Sequence, residues 1–222
     1  MIPVLPLLLV VTGFLFTTSC TTNRTPAAES TGDPLEQLIK GNKRFATGHS
    51  VHPHESFKRR HEIASGQHPV AAILCCSDSR VSPEIILDQG LGDLFVIRTA
   101  GNLMGGLEIG SIEYAVEHLG VKQVLIIGHK ECGALKAFVD GNVPPGHIRD
   151  IVDSIKKEKE ILAIPASDKN LLYDCIRANI VHGVRQLKSE SAIVSEKIRT
   201  GGLKVTGGYY DLEKGEINLV TN

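Results

Sequence analysis

The chain has almost no net charge, few cysteines and no apolar run long enough for a comfortable bilayer span. Its 24 Lys and Arg residues stand against 25 Asp and Glu, a formal charge of −1. Without a Lys/Arg-dense run there is none of the basic surface that counterion-release binding to nucleic acid requires. Nucleic acid is therefore set aside as a partner. Five cysteines (Cys20, Cys75, Cys76, Cys132 and Cys175) in 222 residues do not make a disulfide-stapled scaffold, because a chain of this length can bury a core of its own. Each thiol needs its own explanation. A hydrophobic content of 42% rules out general disorder and suits one globular domain of ordinary size.

Charge is also missing locally, since none of the first 19 residues carries it. Val4 to Phe16 (VLPLLLVVTGFLF) is apolar but falls short of the ~20 residues of a bilayer span, so residues 1–19 read as an export signal peptide. T-T-S-C then ends at Cys20, and residues 20–33 have the polar composition of a flexible linker. That order resembles a bacterial lipoprotein signal with Cys20 as the lipidated residue. The expected location is the periplasm, or a membrane reached only through an N-terminal lipid; an uncleaved anchor or a signal cut by the general peptidase stays open.

The folded region is expected over residues 34–222, with a helix starting at Asp33-Pro34 and weakened in its middle by Gly41. After it, His49, His52, His54, His61 and His68 share no helix or strand face, and they read as solvated surface histidines. Three short apolar runs, Val70 to Leu74, Leu94 to Ile97 and Val121 to Ile127, suit buried strands of a parallel sheet. Leu107 to Leu119 has the three-and-four spacing of a crossover helix. Leu203 to Tyr210 and Glu216 to Val220 flank E-K-G as a terminal hairpin or an added edge strand. The fold class is α/β, a mainly parallel sheet flanked by helices with an antiparallel strand or hairpin near the C-terminus.

In open α/β sheets reactive residues gather at the carboxyl ends of strands. Here the runs lead into C-C-S-D-S-R (Cys75 to Arg80), R-T-A-G-N (Arg98 to Asn102) and G-H-K-E-C-G (Gly128 to Gly133). His129 and Cys132, three apart at the start of a helix, can turn toward one point, and Cys76 from a neighbouring strand end can face them. Two thiolates and one imidazole suit Zn²⁺, with a fourth position left for water or a conditional ligand. Asp78 would swing onto the metal unless Arg80 held it by a bidentate pair. Taken singly, Cys75 and Cys76 read as buried strand thiols, the commoner fate of free cysteine, or as a vicinal disulfide. Their occurrence beside D-S-R and opposite H-x-x-C favours the metal. Cys75 points opposite to Cys76 by strand alternation and, like Cys175, reads as packing.

These motifs resemble the β-class carbonic anhydrases. The likeness runs from about Leu35 to the C-terminus through C-S-D-S-R-V (Cys76 to Val81), D-L-F-V-I-R-T-A-G-N (Asp93 to Asn102), S-I-E-Y-A-V-E-H-L (Ser111 to Leu119) and G-H-x-x-C-G (Gly128 to Gly133). It implies one Zn²⁺ per chain on Cys76, His129 and Cys132, with Asp78 and Arg80 as the catalytic dyad. It implies substrate contacts from Gln67, Phe95, Tyr114 and Gly133, with Gln67 and Tyr114 serving a partner's zinc in a homodimer or homotetramer. The implied reaction is reversible hydration of CO2 to bicarbonate and a proton by attack of zinc-bound hydroxide.

Lys130 stands where Ser is more usual and Ala100 where a larger apolar residue often does; neither touches the ligand set. Some members of the family close their site by moving the aspartate onto zinc, a state tied to a side pocket built on a Trp. This chain has no Trp, and Ile73 occupies that place, so the expected arrangement is open, with Asp78 on Arg80. Hydrolysis of carbonyl sulfide or carbon disulfide on the same scaffold, and a non-catalytic zinc or thiol module, are the alternatives.

Overall fold

The computed structural model describes residues 32–141 and 144–220. The expected signal peptide, most of the expected linker and Cys20 lie outside the described residues. A five-stranded sheet carries the order β2-β1-β3-β4-β5, from β1 (Ala71–Cys76), β2 (Leu94–Thr99), β3 (Gln123–His129), β4 (Lys204–Asp211) and β5 (Glu216–Val220). The first four pair parallel and β5 runs antiparallel to β4. The mainly parallel sheet and its antiparallel C-terminal strand are those expected from the apolar runs.

β1 and β3 are buried along their whole length, which is why their sequences, AAILCC and QVLIIGH, are nearly unbroken apolar runs. Alternation then divides their side chains between two faces. Ala72, Leu74, Val124 and Ile126 pack with Ile112 and Ala115 of α4 (Gly106–Glu117) and Val184 and Leu187 of α8 (Leu171–Glu190). Ala71, Ile73, Cys75, Leu125 and Ile127 pack on the other face with Leu38 of α1 (Pro34–Ala46) and Ile86 of α3 (Pro83–Ile86). Ile73, in the place of the family's Trp, is fully buried there. A third cluster caps the carboxyl ends of the strands, joining Cys76 and Cys132 to Leu135 of α5 (Gly133–Val139) and to Cys175, Ile176 and Ile180 of α8. The remaining helices are α2 (Phe57–Glu62), α6 (Ile148–Ile155), α7 (Lys159–Leu162) and α9 (Ala192–Arg199). No helix among the described residues is long and apolar enough to cross a membrane.

The Asp33 carboxylate caps α1 by accepting from Leu35 N–H at 3.0 Å, and Pro34 sits in the first turn where its missing N–H costs nothing. Gly41, a weak point by helix propensity, has a packing reason. A Cβ there would lie 1.9 Å from the Leu87 carbonyl oxygen, so only glycine lets α1 approach the α3 turn so closely. Gly41→Ala should destabilise the fold by about 1–3 kcal/mol through overpacking. Urea unfolding checks this, and an unchanged midpoint would show that the helix can move away freely.

Candidate metal centre

Cys76 ends β1, His129 ends β3, and Cys132 caps the N-terminus of α5. Because β1 and β3 are parallel neighbours, their carboxyl ends meet, and the three-residue step to Cys132 turns the chain back over them. Their ligand atoms all lie within 4.8 Å of one another, and the three residues are buried. This is the one such His/Cys/acid group among the described residues. The two sulfurs are 4.0 Å apart.

The protonation states suit a cation. His129 Nδ1 is 2.9 Å from the Lys130 carbonyl oxygen, which can only accept, so Nδ1 carries the hydrogen and Nε2 keeps its lone pair. That Nε2 is buried and has no hydrogen-bond partner. A lone pair with no donor, deep in a protein and facing two sulfurs, is where a metal ion fits. The Cys76 thiol is drawn down, first by the Cys132 thiol hydrogen-bonded to it, against the cost of burial, with help from the Gly101 N–H. The resulting thiolate, together with burial, pushes Cys132 up. A cation bound here would take the place of the thiol protons.

Asp78 stands beside this cluster without joining it. Its Oδ1 accepts from Arg80 Nε at 2.9 Å and its Oδ2 from Arg80 Nη2 at 2.7 Å, the bidentate pair expected from the sequence. The guanidinium and the Arg80 backbone N–H hold the carboxyl well below the usual carboxylate range. Oδ2 is 3.8 Å from His129 Nε2, beyond direct contact but within reach of an atom placed between them. Arg98, which the sequence analysis did not single out, fixes the backbone of this turn: its Nε donates to the Cys76 carbonyl at 3.2 Å and its Nη2 to the Asp78 carbonyl at 2.7 Å. The R-T-A-G-N motif was the signal that could have found it.

Gly133 opens α5 beside Cys132, is exposed, and has nothing within 4 Å of where a Cβ would stand. Gln67, Phe95 and Tyr114 lie elsewhere on the chain. Strand register pairs Thr99 with Cys76 but Phe95 with Ala72, so Phe95 is about 13 Å back along the sheet at ~3.3 Å per residue. Its ring is 6.1 Å from that of Tyr114, which is 47% exposed on α4. Gln67 is exposed on the segment before β1. The five clustered histidines are all exposed, as expected. Cys75 and Cys175 are buried packing residues, and burial pushes the Cys75 thiol up to about 12. Lys130 reaches outward to Glu213 at 2.9 Å, away from the ligands.

A family model described as carbonic anhydrase matches residues 71–217. Carbonic anhydrase 2 of Mycobacterium tuberculosis is 40% identical over 187 residues, covering 82% of this chain and 89% of the relative. The carbonic anhydrase of Mycolicibacterium smegmatis is 37% identical over 186 residues, with coverage of 82% and 89%. The solved β-carbonic anhydrase CcaA superposes with a TM-score of 0.66 at 28% identity, over 86% of this chain and 93% of its own. The chain belongs to the β-class carbonic anhydrases. Another solved structure of the class, from work on two tetrameric β-carbonic anhydrases of the ascomycete Sordaria macrospora, has a TM-score of 0.67 at 26% identity over 85% of this chain and 97% of its own.

Proposed function

We propose that the chain catalyses reversible hydration of CO2 to bicarbonate and a proton at one zinc ion held by Cys76, His129 and Cys132. The observation that carries this is the orphaned, buried His129 Nε2 facing the paired sulfurs of Cys76 and Cys132. Zinc, when bound in such a set, acts as a Lewis acid that makes water a nucleophile near neutral pH.

The chain's own residues do the rest. Asp78 stays ionised because Arg80 holds it, so its Oδ2 can only accept, and an O–H donated to it leaves the nucleophilic oxygen's lone pair aimed at carbon. Gly133 N–H, at the open start of α5, seats a substrate oxygen. Gln67 donates to the other oxygen, while Phe95 and Tyr114 supply the apolar wall.

Because these last three lie far from the ligands of their own chain, they act on the metal of a second copy. β2 is one of the two outer strands of the sheet, and its edge, unpaired among the described residues, supports such pairing. A homodimer or homotetramer is the working form. Stopped-flow CO2 hydration with a pH indicator, with and without a chelator, tests the activity: rapid hydration abolished by chelation is expected, and zinc-loaded protein without activity would leave only a zinc module.

The chain is further proposed to be exported and tethered through a lipid on Cys20, a reading supported by T-T-S-C and the polar stretch after it. Cys20→Ser should move the enzyme from the membrane fraction to the soluble periplasm or block processing. Failure of the unaltered chain to take up labelled palmitate would leave plain secretion or an uncleaved anchor.

A further inference from the structure

Cys76 is held by more than its strand. Its sulfur accepts a hydrogen bond from Gly101 N–H at 3.3 Å, across from the turn that follows β2. That turn has two consecutive residues in the left-handed region, Gly101 at φ +68° and Asn102 at φ +49°. Glycine adopts this conformation freely, but Asn102 does so at a cost and needs outside support. A Cβ on Gly101 would come within 2.9 Å of the Ala134 Cβ, so the turn is pressed against the first turn of α5, next to Cys132.

The support comes from the far side of the sheet end. Asn102 Nδ2 donates to Asn179 Oδ1 at 2.6 Å, and Asn179 Nδ2 donates to Glu158 Oε1 at 2.9 Å. Asn102, Asn179 and Glu158 are 2–3% exposed, a buried polar chain at the floor of a cavity that Lys157, His182, Gln186 and Glu190 also line. Glu158 is a poor choice if stability were its only purpose. Its Oε2 has no protein partner, and burial pushes its carboxyl up to about 7. A buried group kept at a cost to the fold points to a role elsewhere. Protonated or not, its Oε1 still accepts from Asn179, so the chain of donors keeps its direction, from Asn102 outward.

We propose that Asn179 and Glu158 are positioning residues for the metal centre: through Asn102 they hold the Gly101 N–H on the Cys76 sulfur, and so limit the charge that sulfur gives to a bound metal. This rests on Cys76 being a ligand. An N–H on a thiolate draws electron density from it, which raises the energy of sulfur-to-metal charge transfer and keeps the metal a stronger Lewis acid.

The test uses the full chain loaded with Co²⁺, reading the thiolate charge-transfer band, together with zinc affinity by competition against a chromogenic chelator. Asn179→Leu should move the band to longer wavelength and, because a sulfur released from its N–H is no longer held in place toward His129 and Cys132, weaken zinc binding about 10-fold. Glu158→Leu should do the same to a smaller extent. Glu158→Gln should match the unaltered protein in both, because its amide oxygen still accepts from Asn179. Thermal unfolding shows which variants are folded, and if Asn179→Leu is not, the Glu158 pair decides. A lower Tm with unmoved bands and affinities would reduce the network to scaffolding and overturn the proposal. So would a Glu158→Gln shift as large as that of Glu158→Leu. If the unaltered chain shows no thiolate band with Co²⁺, the ligand assignment itself fails, and the proposal with it, before any variant is compared.

Discussion

Zinc retention should be lost from Cys76→Ser, from His129→Ala and from Cys132→Ser alike. The protein offers three ligand atoms within 4.8 Å of one another and no fourth of the same kind among the described residues, and Asp78, the donor beside them, is held by Arg80, so no free donor substitutes for a missing one. If a tightly held zinc is worth ~12 kcal/mol and each ligand carries about a third, a deletion costs about 4 kcal/mol, an affinity loss on the order of 10³-fold. The two cysteine variants carry an added penalty. A bound dication would keep one thiolate instead of two, leaving a positive charge uncompensated in a buried site. His129→Ala leaves both sulfurs but also a void, since the ring is fully buried. CO2 hydration should fall with metal content in all three. Elemental analysis is the direct check: one zinc per chain in purified Cys132→Ser would overturn the ligand assignment.

The candidate ligands were legible because Cys76 and His129 sit where buried runs stop and Cys132 follows three residues later at the start of a helix. VAAIL and VKQVLII could be recognised as parallel strands by their lack of polar alternation, and the residues just after them had to emerge at one sheet edge. The Asp78–Arg80 pair was equally readable, being a contact between neighbours two residues apart. Much of the chain between Cys132 and Thr200 was not assigned to helices. α8 places buried Asn179 and Gly183 among Ile176, Ile180 and Val184, which blurs its apolar stripe, although the three-and-four spacing is present. Contacts that depend on the arrangement of distant elements left no local trace. Gly101 N–H on Cys76 and Asn179 on Asn102 link residues 25 and 77 apart. The separation of Phe95 from the strand ends likewise needed the β1–β2 register, which two apolar runs cannot supply.

Arg80→Ala should keep its zinc and still lose CO2 hydration by about 100-fold, the scale of a misplaced catalytic group. Arg80 touches none of the three ligand side chains; its donors go to Asp78 and, at 3.4 Å, to the Glu131 carbonyl. What it controls is the direction of one carboxylate. Asp78 Oδ2 already lies 3.8 Å from His129 Nε2, so a small side-chain rotation would bring it onto a metal at that nitrogen. Ionised and without its two guanidinium donors, the carboxylate has a strong Coulombic reason to make that move, and it would then block the position where water must sit. Arg80→Lys should recover only part of the loss, because an ammonium supplies charge but not the paired fork that engages both oxygens. A second change separates blocking from simple loss of charge. In Arg80→Ala/Asp78→Ala the blocking carboxylate is gone, so activity should rise above that of Arg80→Ala while staying below the unaltered enzyme, which retains the proton acceptor. Stopped-flow rates at equal zinc content decide the matter. An Arg80→Ala enzyme with full activity, or a double variant no faster than the single one, would show that the Asp78–Arg80 pair does not keep the site open.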